Sequence, residues 1–465
     1  MKKFNELLKE YISTQNVTIY QISKQTEINR TMLQNVLSGR KKFPKKRLLD
    51  LLNSTYFTSE QIKNLSTAYL CEEHGEDKSE FFEFCNYCFS QKFCDDLDNT
   101  YSAEQFDLDS EVEFLNNKEK IIAAVNAVIE NSKNDTFVSN FNFGQKEINT
   151  IIYNACKNKK FKEFYHYTSY TNDEKENVNI IFNSIYYALQ GFLTYITGSG
   201  KFDLIFSKFV MCGDSVVLFD DKMNNGSVIK NKELAQYILN KNEKIKSTAK
   251  SDVYIFHNAF EYMHCLDMLS HKRNNPEIYS IDNHLCPLGF TKEMIDDIAT
   301  EQIKSSEQVY SQLVAHYNLL LDETDANVKR QILSSDGVTA FVKNGRLSDF
   351  PKAFATTLNS KHRAEILSYY LNTDFLLTNP ELLSFNKLPI DFEICQNQVL
   401  FAYTDDYTNE EFDSGIQIIV ESDDTNIIGS LKNYHEYLTI SEKTYSAEYS
   451  KKFIKSTSFL SIALN

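Results

Sequence analysis

Two short segments with helical periodicity, separated by only a few residues, constrain the fold of the amino-terminal part of this chain more than any other feature. They lie at residues 19–25 and 30–37, within the stretch VTIYQISKQTEINRTMLQNVLSGRKKFP. Thr18 and Asn29 precede the segments as N-caps, and Gly39 follows the second where a helix would end. Two helices joined by so short a turn form a helix-turn-helix when apolar side chains hold them at a fixed angle.

The apolar positions of this stretch supply the inward side chains that such a turn requires. The first helix, the turn and the second helix each contribute at helical spacing. The predicted inward set is Ile22, Thr26, Ile28, Leu33 and Val36. We therefore predict a small all-α domain at residues 1–70, with further helices on both sides of the turn.

Polar side chains occupy the opposite, outward face of the second helix. Arginine pairs with guanine in the major groove of DNA, and Asn or Gln pairs with adenine. The residues predicted to read bases are Arg30, Thr31, Gln34 and Asn35.

Positive charge is concentrated at this end of the chain. Residues 1–50 hold eleven Lys or Arg and four Asp or Glu, a net charge of +7, so the other 415 residues carry −22 within the total of −15. An acidic remainder repels nucleic acid and anionic membranes, which leaves duplex DNA as a partner of the amino-terminal end alone. The residues predicted to bind DNA phosphates are Asn29, Arg40, Lys41, Lys42 and Lys45.

At these residues the sequence resembles the Xre/Cro-type phage-repressor family of DNA-binding domains. The resemblance covers about 70 of the 465 residues, with Asn29 opening the recognition helix and Gly39 closing it. It implies base contacts by Arg30, Thr31 and Asn35, and phosphate contacts by Asn29, Arg40 and Lys41. The chain departs from the family at Glu27, where a glycine in a left-handed conformation is usual, and at Leu37, where Glu is frequent.

The rest of the chain predicts an α+β multidomain protein. Acidic and aromatic helices at 71–117 form a connector, and strands alternating with helices at 118–385 predict a mixed α/β sensory or dimerisation body. Residues 386–465 add three strands and two helices to that body. Residues 287–333 are predicted as mainly helical, and 337–347 as strand or turn.

Cysteine usage and the absence of an apolar leader predict a cytoplasmic protein. Nine cysteines are scattered along the chain rather than evenly spaced, and the start, MKKFNELLKEY, carries charges throughout. The most apolar helical run, at 185–196, has only twelve residues and is too short to span a bilayer. We expect no membrane contact.

Two clusters have the composition of metal sites, and a plainer interpretation is favoured for each. Cys71, His74, Cys85 and Cys88 have zinc-like spacing, but the last two also belong to a helical apolar stripe in which Cys serves as a small hydrophobe. His257, Glu261 and His264 share one helix face, as ordinary polar faces also do. No metal site and no cofactor are predicted.

Sequence patterns of nucleophile-based hydrolases, phosphate loops and dinucleotide folds are missing, as is the HxKxxxxD pattern of phosphodiester cleavage. No catalytic residue and no enzymatic activity are therefore predicted.

Acidic pairs follow several strand-like runs, and the carboxyl ends of strands are where α/β domains bind ligands. Asp220 and Asp221 are the candidates in the body, with Arg346 in a Gly-Arg turn. A cation or a cationic small molecule would suit the two carboxylates. Strand ends and helix caps use such pairs as well, so both interpretations stay open.

Together these features predict a sequence-specific, one-component transcriptional regulator. A single helix-turn-helix buries too little surface for tight binding, so a homodimer on two half-sites is expected, controlled by a small-molecule or peptide effector. Two alternatives stay open: a peptide-pheromone-responsive regulator with a helical-repeat body, and an enzyme with an unrecognised α/β active site that is targeted to DNA.

Overall fold

The computed structural model describes most of the chain. The described residues are 2–44, 47–52, 54–101, 103–133, 135–196, 208–246, 252–257, 261, 277–283, 285, 290–315, 328–345, 347, 356–380, 383, 390–395, 398–404, 417–441 and 443–463. Among them, no helix is both long and apolar enough to cross a lipid bilayer.

The amino-terminal region is helical. Its helices are α1 (Phe4–Thr14), α2 (Ile19–Thr26), α3 (Arg30–Leu37), α4 (Leu48–Leu52), α5 (Ser59–His74), α6 (Glu76–Phe89) and α7 (Gln91–Asp98). Helices α2 and α3 begin at the predicted caps. The Thr18 hydroxyl accepts a hydrogen bond from the Gln21 backbone amide, and Asn29 Oδ1 accepts one from the Thr31 amide at 2.8 Å.

The predicted inward residues of this region are all buried: Ile22, Thr26, Ile28, Leu33 and Val36. Glu27, between α2 and α3, has φ 55° and ψ 18°, the left-handed conformation. A side chain with a Cβ costs about 1 kcal/mol there relative to glycine. Burial of the apolar side chains on both sides of the turn offsets that cost.

A first mixed sheet follows. Its strands are β1 (Val112–Leu115), β2 (Thr136–Ser139), β3 (Glu163–Thr168), β4 (Thr194–Ile196), β5 (Lys208–Cys212), β6 (Ser215–Phe219) and β7 (Gly226–Lys230). The helices of this half are α8 (Lys118–Glu130), α9 (Lys146–Lys157), α10 (Glu174–Leu189) and α11 (Lys232–Lys246). The strand order is β1-β7-β6-β5-β2-β3-β4, with β2, β3 and β4 parallel and every other neighbouring pair antiparallel.

A second mixed sheet contains β8 (Val253–Phe256), β9 (Glu277–Asp282), β10 (Val328–Leu333), β11 (Phe375–Leu377), β12 (Ile390–Cys395), β13 (Gln398–Thr404) and β14 (Gln417–Ser422). Its helices are α12 (Lys292–Ile298), α13 (Glu301–Lys304), α14 (Ser335–Asn344), α15 (Ser360–Tyr370), α16 (Thr425–Leu438) and α17 (Ala447–Ala463). The order is β11-β10-β9-β12-β13-β14-β8.

The two sheets have the same topology. In each, three parallel strands are followed by an antiparallel meander of three, and the first strand of the half forms the far edge. The distance along the chain between corresponding strands grows from 141 residues (Val112 to Val253) to 191 residues (Gly226 to Gln417). The body is therefore a structural duplication with longer connections in its second half.

Helix α10 joins the two halves. It lies between β3 and β4 in the chain, and it packs on β8, β14 and α16 of the second half. Its apolar residues are buried, and Phe182 contacts Phe401 of β13 with ring centroids 5.6 Å apart. This packing explains the strongly apolar run of α10 without a membrane.

A separate hydrophobic core lies in the second half. It is formed by α12 to α15, by the ends of β10 and β11, and by Ile454 of α17. The main core, in contrast, runs from the amino-terminal helices through both sheets.

The prediction of an α+β protein is confirmed: the described chain consists of helices and two mixed sheets. The predicted strands at the end of the chain are β12, β13 and β14. Residues 337–347, predicted as strand or turn, are instead mostly in helix α14, which ends at Gly345 with φ 70°. Residues 328–333, predicted as helical, form strand β10. The two sheets also rule out the helical-repeat body of the pheromone-receptor alternative.

Replacing Glu27 by Gly should raise the free energy of unfolding by up to about 1 kcal/mol, because glycine adopts φ 55° without a Cβ clash. Urea denaturation of the full chain, followed by circular dichroism, measures the change. Lys24→Gly is the matched control. Its exposed site is in the right-handed helix α2, so glycine should cost about 1 kcal/mol there. Equal losses in both variants would show that Glu27 is not strained.

Candidate functional site

The outward face of α3 carries the side chains predicted to read bases. Arg30, Thr31 and Gln34 are exposed, and Asn35 is half-buried. These positions face away from the inward set that packs α3 against α2. The face is therefore a polar surface available to a partner.

The segment after α3 is held to the helix by its backbone. Gly39 has φ 72°, which lets the chain turn back, and the Asn35 carbonyl accepts hydrogen bonds from the Arg40 amide at 2.9 Å and the Lys41 amide at 3.2 Å. Both cationic side chains are exposed. They lie beside the carboxyl end of the outward face, and their contact with DNA phosphates stays a prediction.

The other predicted phosphate ligands differ in their surroundings. Asn29 is exposed, but its Oδ1 is used as the cap of α3. Lys42 points to the carboxyl end of α5, where its ammonium lies 3.7 Å from the Glu73 carboxylate and 3.5 Å from the Glu72 carbonyl oxygen. Part of its charge is thereby neutralised. Lys45 lies outside the described residues.

Arg47, directly before α4, contacts the end of α2. Its guanidinium donates to the Thr26 carbonyl oxygen at 2.9 Å and forms an ion pair with Asp50 at 3.1 Å. It stabilises the end of α2.

The predicted ligand residues of the body lie at a hairpin turn. The Asp220 carboxylate accepts hydrogen bonds from the Asn224 amide at 3.0 Å and the Asn225 amide at 2.9 Å, and these bonds lower the pKa of Asp220. Asp221 lies 3.7 Å from the Lys208 ammonium. The carboxylate of Asp220 thus serves the β6–β7 turn. Arg346 lies outside the described residues, and the ligand site stays a prediction.

The cysteine and histidine clusters have structural explanations where they are described. Cys85 and Cys88 are buried on α6, and burial raises the pKa of both thiols well above its usual value, which keeps them protonated. The His257 backbone amide donates to Glu261. His264 and His271 lie outside the described residues. Among the described side chains, no three His, Cys, Asp or Glu groups lie close enough to hold a metal ion.

The topological duplication reveals two corresponding polar sites that the sequence had not indicated. In each sheet, one residue of the middle parallel strand pairs with the first residue of the third parallel strand on one side. On its other side it pairs with a serine of the first parallel strand. In the first sheet these are His166 and Ser139, and in the second they are Gln331 and Ser280. Both pairs are buried.

The first of these sites holds an uncharged imidazole. His166 Nδ1 lies 2.9 Å from the Ser139 hydroxyl, and the rings of Phe141 and Phe143 both contact the imidazole, each with its centroid 4.5 Å from that of the imidazole. Burial lowers the pKa of His166 to about 3. Its Nε2 has no hydrogen-bond partner among the described residues. At neutral pH this atom presents a lone pair or an N–H that the fold does not use.

The second site holds a buried carboxyl whose pKa is raised. Asp282, at the end of β9, accepts hydrogen bonds from the Ser280 hydroxyl at 3.0 Å and from the Gln331 side-chain amide. Burial, with the nearby Asp391 carboxylate, raises the pKa of Asp282 to about 8. The Asn283 backbone amide donates to Asp391, which fixes that carboxylate beside the pair.

Sequence reasoning missed both sites for identifiable reasons. A lone histidine in the strand text FYHYT carries no motif, and the strand that ends in Asp282 was not predicted at all. The alternation within 161–170 was the available signal, because it places His166 on one face of β3 together with Phe164.

No family model matches the chain, and no curated protein matches it. Among solved structures, the crystal structure of polyphosphate kinase from Porphyromonas gingivalis is similar, at 8% identity and a TM-score of 0.23. The match covers 75% of this chain and 55% of the kinase, so the chain spans about half the length of that protein.

This comparison corrects two predictions. The neighbour is an enzyme, which contradicts the predicted ligand-controlled transcriptional regulator and the predicted lack of enzymatic activity. A TM-score of 0.23 assigns no reaction and no substrate to this chain.

The pKa of Asp282 makes stability depend on pH in a defined direction. An unfolded chain releases the proton near pH 4, whereas the folded chain keeps it to about pH 8. The folded state therefore binds more protons between these values, and the free energy of unfolding falls as pH rises, by up to about 1.4 kcal/mol per unit.

Asp282→Asn removes this contribution while keeping an acceptor for Ser280 and Gln331. Urea unfolding at pH 5, 6, 7 and 8 should show the variant gaining stability relative to the wild type as pH rises. Asp220→Asn is the control, because a lowered pKa produces no such trend in this range. A difference independent of pH would mean that Asp282 is ionised in the folded chain.

Proposed function

We propose that this chain is an enzyme targeted to duplex DNA. Its amino-terminal residues form a helix-turn-helix domain of the Xre/Cro type, and its duplicated α/β body carries the catalytic site. The observation that carries the proposal is the exposed polar face of α3 followed at once by Arg40 and Lys41, on a chain that is otherwise acidic.

The chemistry of the face fits a major groove. Arg30 supplies the fork that pairs with guanine, and Gln34 and Asn35 supply the amides that pair with adenine. Arg40 and Lys41 follow at the distance where the phosphate backbone passes a helix lying in the groove. The acidic body would be repelled by the duplex, so contact is confined to this face.

A homodimer follows from the size of the face. One helix of eight residues buries less surface than specific DNA complexes need, and two copies on half-sites about one helical turn apart supply the rest.

Selection of duplexes from a random pool by the full chain tests the proposed homodimer. A two-fold symmetric site is expected, and an asymmetric site of a few base pairs would contradict the dimer.

The catalytic site of the proposal is His166. Titratable groups whose pKa is strongly shifted by burial are concentrated at functional sites. At neutral pH the His166 imidazole is uncharged, oriented by Ser139, and has an unused Nε2. With a pKa of about 3 it takes up no proton at neutral pH, so the role proposed for Nε2 is that of a neutral hydrogen-bond donor or acceptor to a reacting group. In the second half Gln331 takes the corresponding position, and its amide cannot titrate.

His166→Gln places the side chain of the second half in the first. A panel of phosphodiester and carboxylic ester substrates, with and without duplex DNA, should yield an activity that the variant lowers by about 100-fold or more. His257→Gln is the control, because the same substitution is made at an exposed histidine. Full activity in His166→Gln would exclude the imidazole from catalysis.

Arg30→Ala should weaken binding to the selected duplex by about 1–3 kcal/mol and relax base preference at one position. Fluorescence anisotropy with the selected duplex and its single-base variants measures both effects. Unchanged affinity and unchanged preference would contradict base reading by α3.

Lys41→Ala should weaken binding to every duplex alike and lower the slope of log affinity against log salt by about one unit. The measurement is a salt titration of anisotropy. Lys232→Ala, which removes an exposed lysine of the body, is the control and should leave the slope unchanged. A slope that responds equally to both changes would mean that the charge contact is not localised.

A further inference from the structure

Tyr20 and Arg30 form a pair on the surface proposed to bind DNA, and the inference drawn here rests on that proposed function. Tyr20 is the second residue of α2, and Arg30 is the first residue of α3. The Arg30 guanidinium carbon lies 4.1 Å from the centroid of the Tyr20 ring. The pair bridges the turn on its outer side.

The tyrosine is not explained by core packing. Its side chain is 51% exposed, whereas the apolar residues of the same helix that face inward are buried. Tyr20 is a large aromatic residue at the surface, next to a predicted base-reading residue. The guanidinium of Arg30 covers its ring face.

Stacking of this kind leaves the hydrogen-bonding edge of arginine available. A guanidinium is planar and stacks on aromatic faces, and in such a stack its N–H groups lie in its plane and point outward. An Arg side chain has about 2 kcal/mol of rotamer entropy to lose when it becomes fixed on a base. A ring that already restricts the side chain in the free protein lowers the rotamer entropy that is lost on binding.

We propose that Tyr20 is a specificity-determining positioning residue: its ring holds the Arg30 guanidinium in the orientation from which it reads a guanine edge. The tyrosine acts through Arg30 and does not read a base itself. The surface that recognises DNA thus extends from α3 to the start of α2, and the aromatic ring, not the hydroxyl, is the functional part of the side chain.

The experiment uses the full chain and the duplex that the wild type selects from a random pool. Affinities are measured by fluorescence anisotropy for Tyr20→Leu, Tyr20→Phe, Arg30→Ala and the double variant Tyr20→Leu/Arg30→Ala, each on the selected duplex and on its single-base variants. Circular dichroism and thermal unfolding confirm that each variant is folded.

Tyr20→Leu should weaken binding to the selected duplex about 2- to 5-fold, the strength of an exposed cation–π contact. It should relax preference at the same base pair as Arg30→Ala. Tyr20→Phe should keep both affinity and preference, because it keeps the ring. The double variant should bind no worse than Arg30→Ala alone, because Tyr20 has no other route to the base.

Each other result overturns the inference in a recognisable way. Equal losses in Tyr20→Phe and Tyr20→Leu would show a hydroxyl contact to DNA, and additive losses in the double variant would show an independent role. If Tyr20→Leu binds with the affinity and preference of the wild type while Arg30→Ala is impaired, the proposed function stands and only the inference is refuted. An Arg30→Ala without effect, or a pool without a preferred duplex, would refute base reading and the inference with it.

Discussion

One aromatic cluster connects the parts of this chain, and the arrangement of the body depends on it. Phe89, at the end of α6, contacts Phe182 of α10 at 4.9 Å between ring centroids, and Tyr434 of α16 at 6.0 Å. Phe392 of β12 lies at the same distance on another side. The helices after the amino-terminal domain are thus packed into the junction between the two halves, so they are part of the core and not a loose tether.

That junction bears on how a cationic amino-terminal end and an acidic body coexist in one chain. Ion pairs on the surface support the aromatic contacts, with Lys78 of α6 bonded to Glu174 and Lys175 bonded to Glu80 at 2.7 Å. The Lys78–Glu174 pair is half-buried, whereas the Lys175–Glu80 pair is exposed and contributes little stability. The main stabilisation comes from burial of the rings, which does not weaken at salt concentrations that screen surface charges.

Features that depend on residues close together in the chain could be predicted from the sequence, and features that depend on residues far apart in the chain could not. The inward residues of α2 and α3 could be predicted because helical spacing and caps act over a few residues, and the strands at 390–422 alternate clearly. The pairing of β9 with β10 and β12 involves residues far apart in the chain, so Asp282 and Gln331 could not be brought together from sequence. In 337–347 the apolar run GVTAFV suits a strand as well as the helix that forms, and packing decided between them.

Tyr20 and His166 illustrate a second limit. Neither belongs to a motif, and each gains its meaning from a neighbour: the guanidinium of Arg30 in one case, and the hydroxyl of Ser139 in the other. Polar groups that the fold leaves unused can be recognised only when every neighbour is known. Charge asymmetry, in contrast, could be read from the composition of the first 50 residues.

The separate hydrophobic core of the second half has a thermodynamic consequence. Because α12 to α15 share one hydrophobic core with α17 and the ends of β10 and β11, and that core is separate from the one around Phe89, they can lose their structure without disrupting the rings around Phe89. Such a region behaves as its own cooperative unit, with an opening free energy below that of global unfolding. Amide protons of this unit would then exchange with solvent as a group, ahead of those in the first sheet.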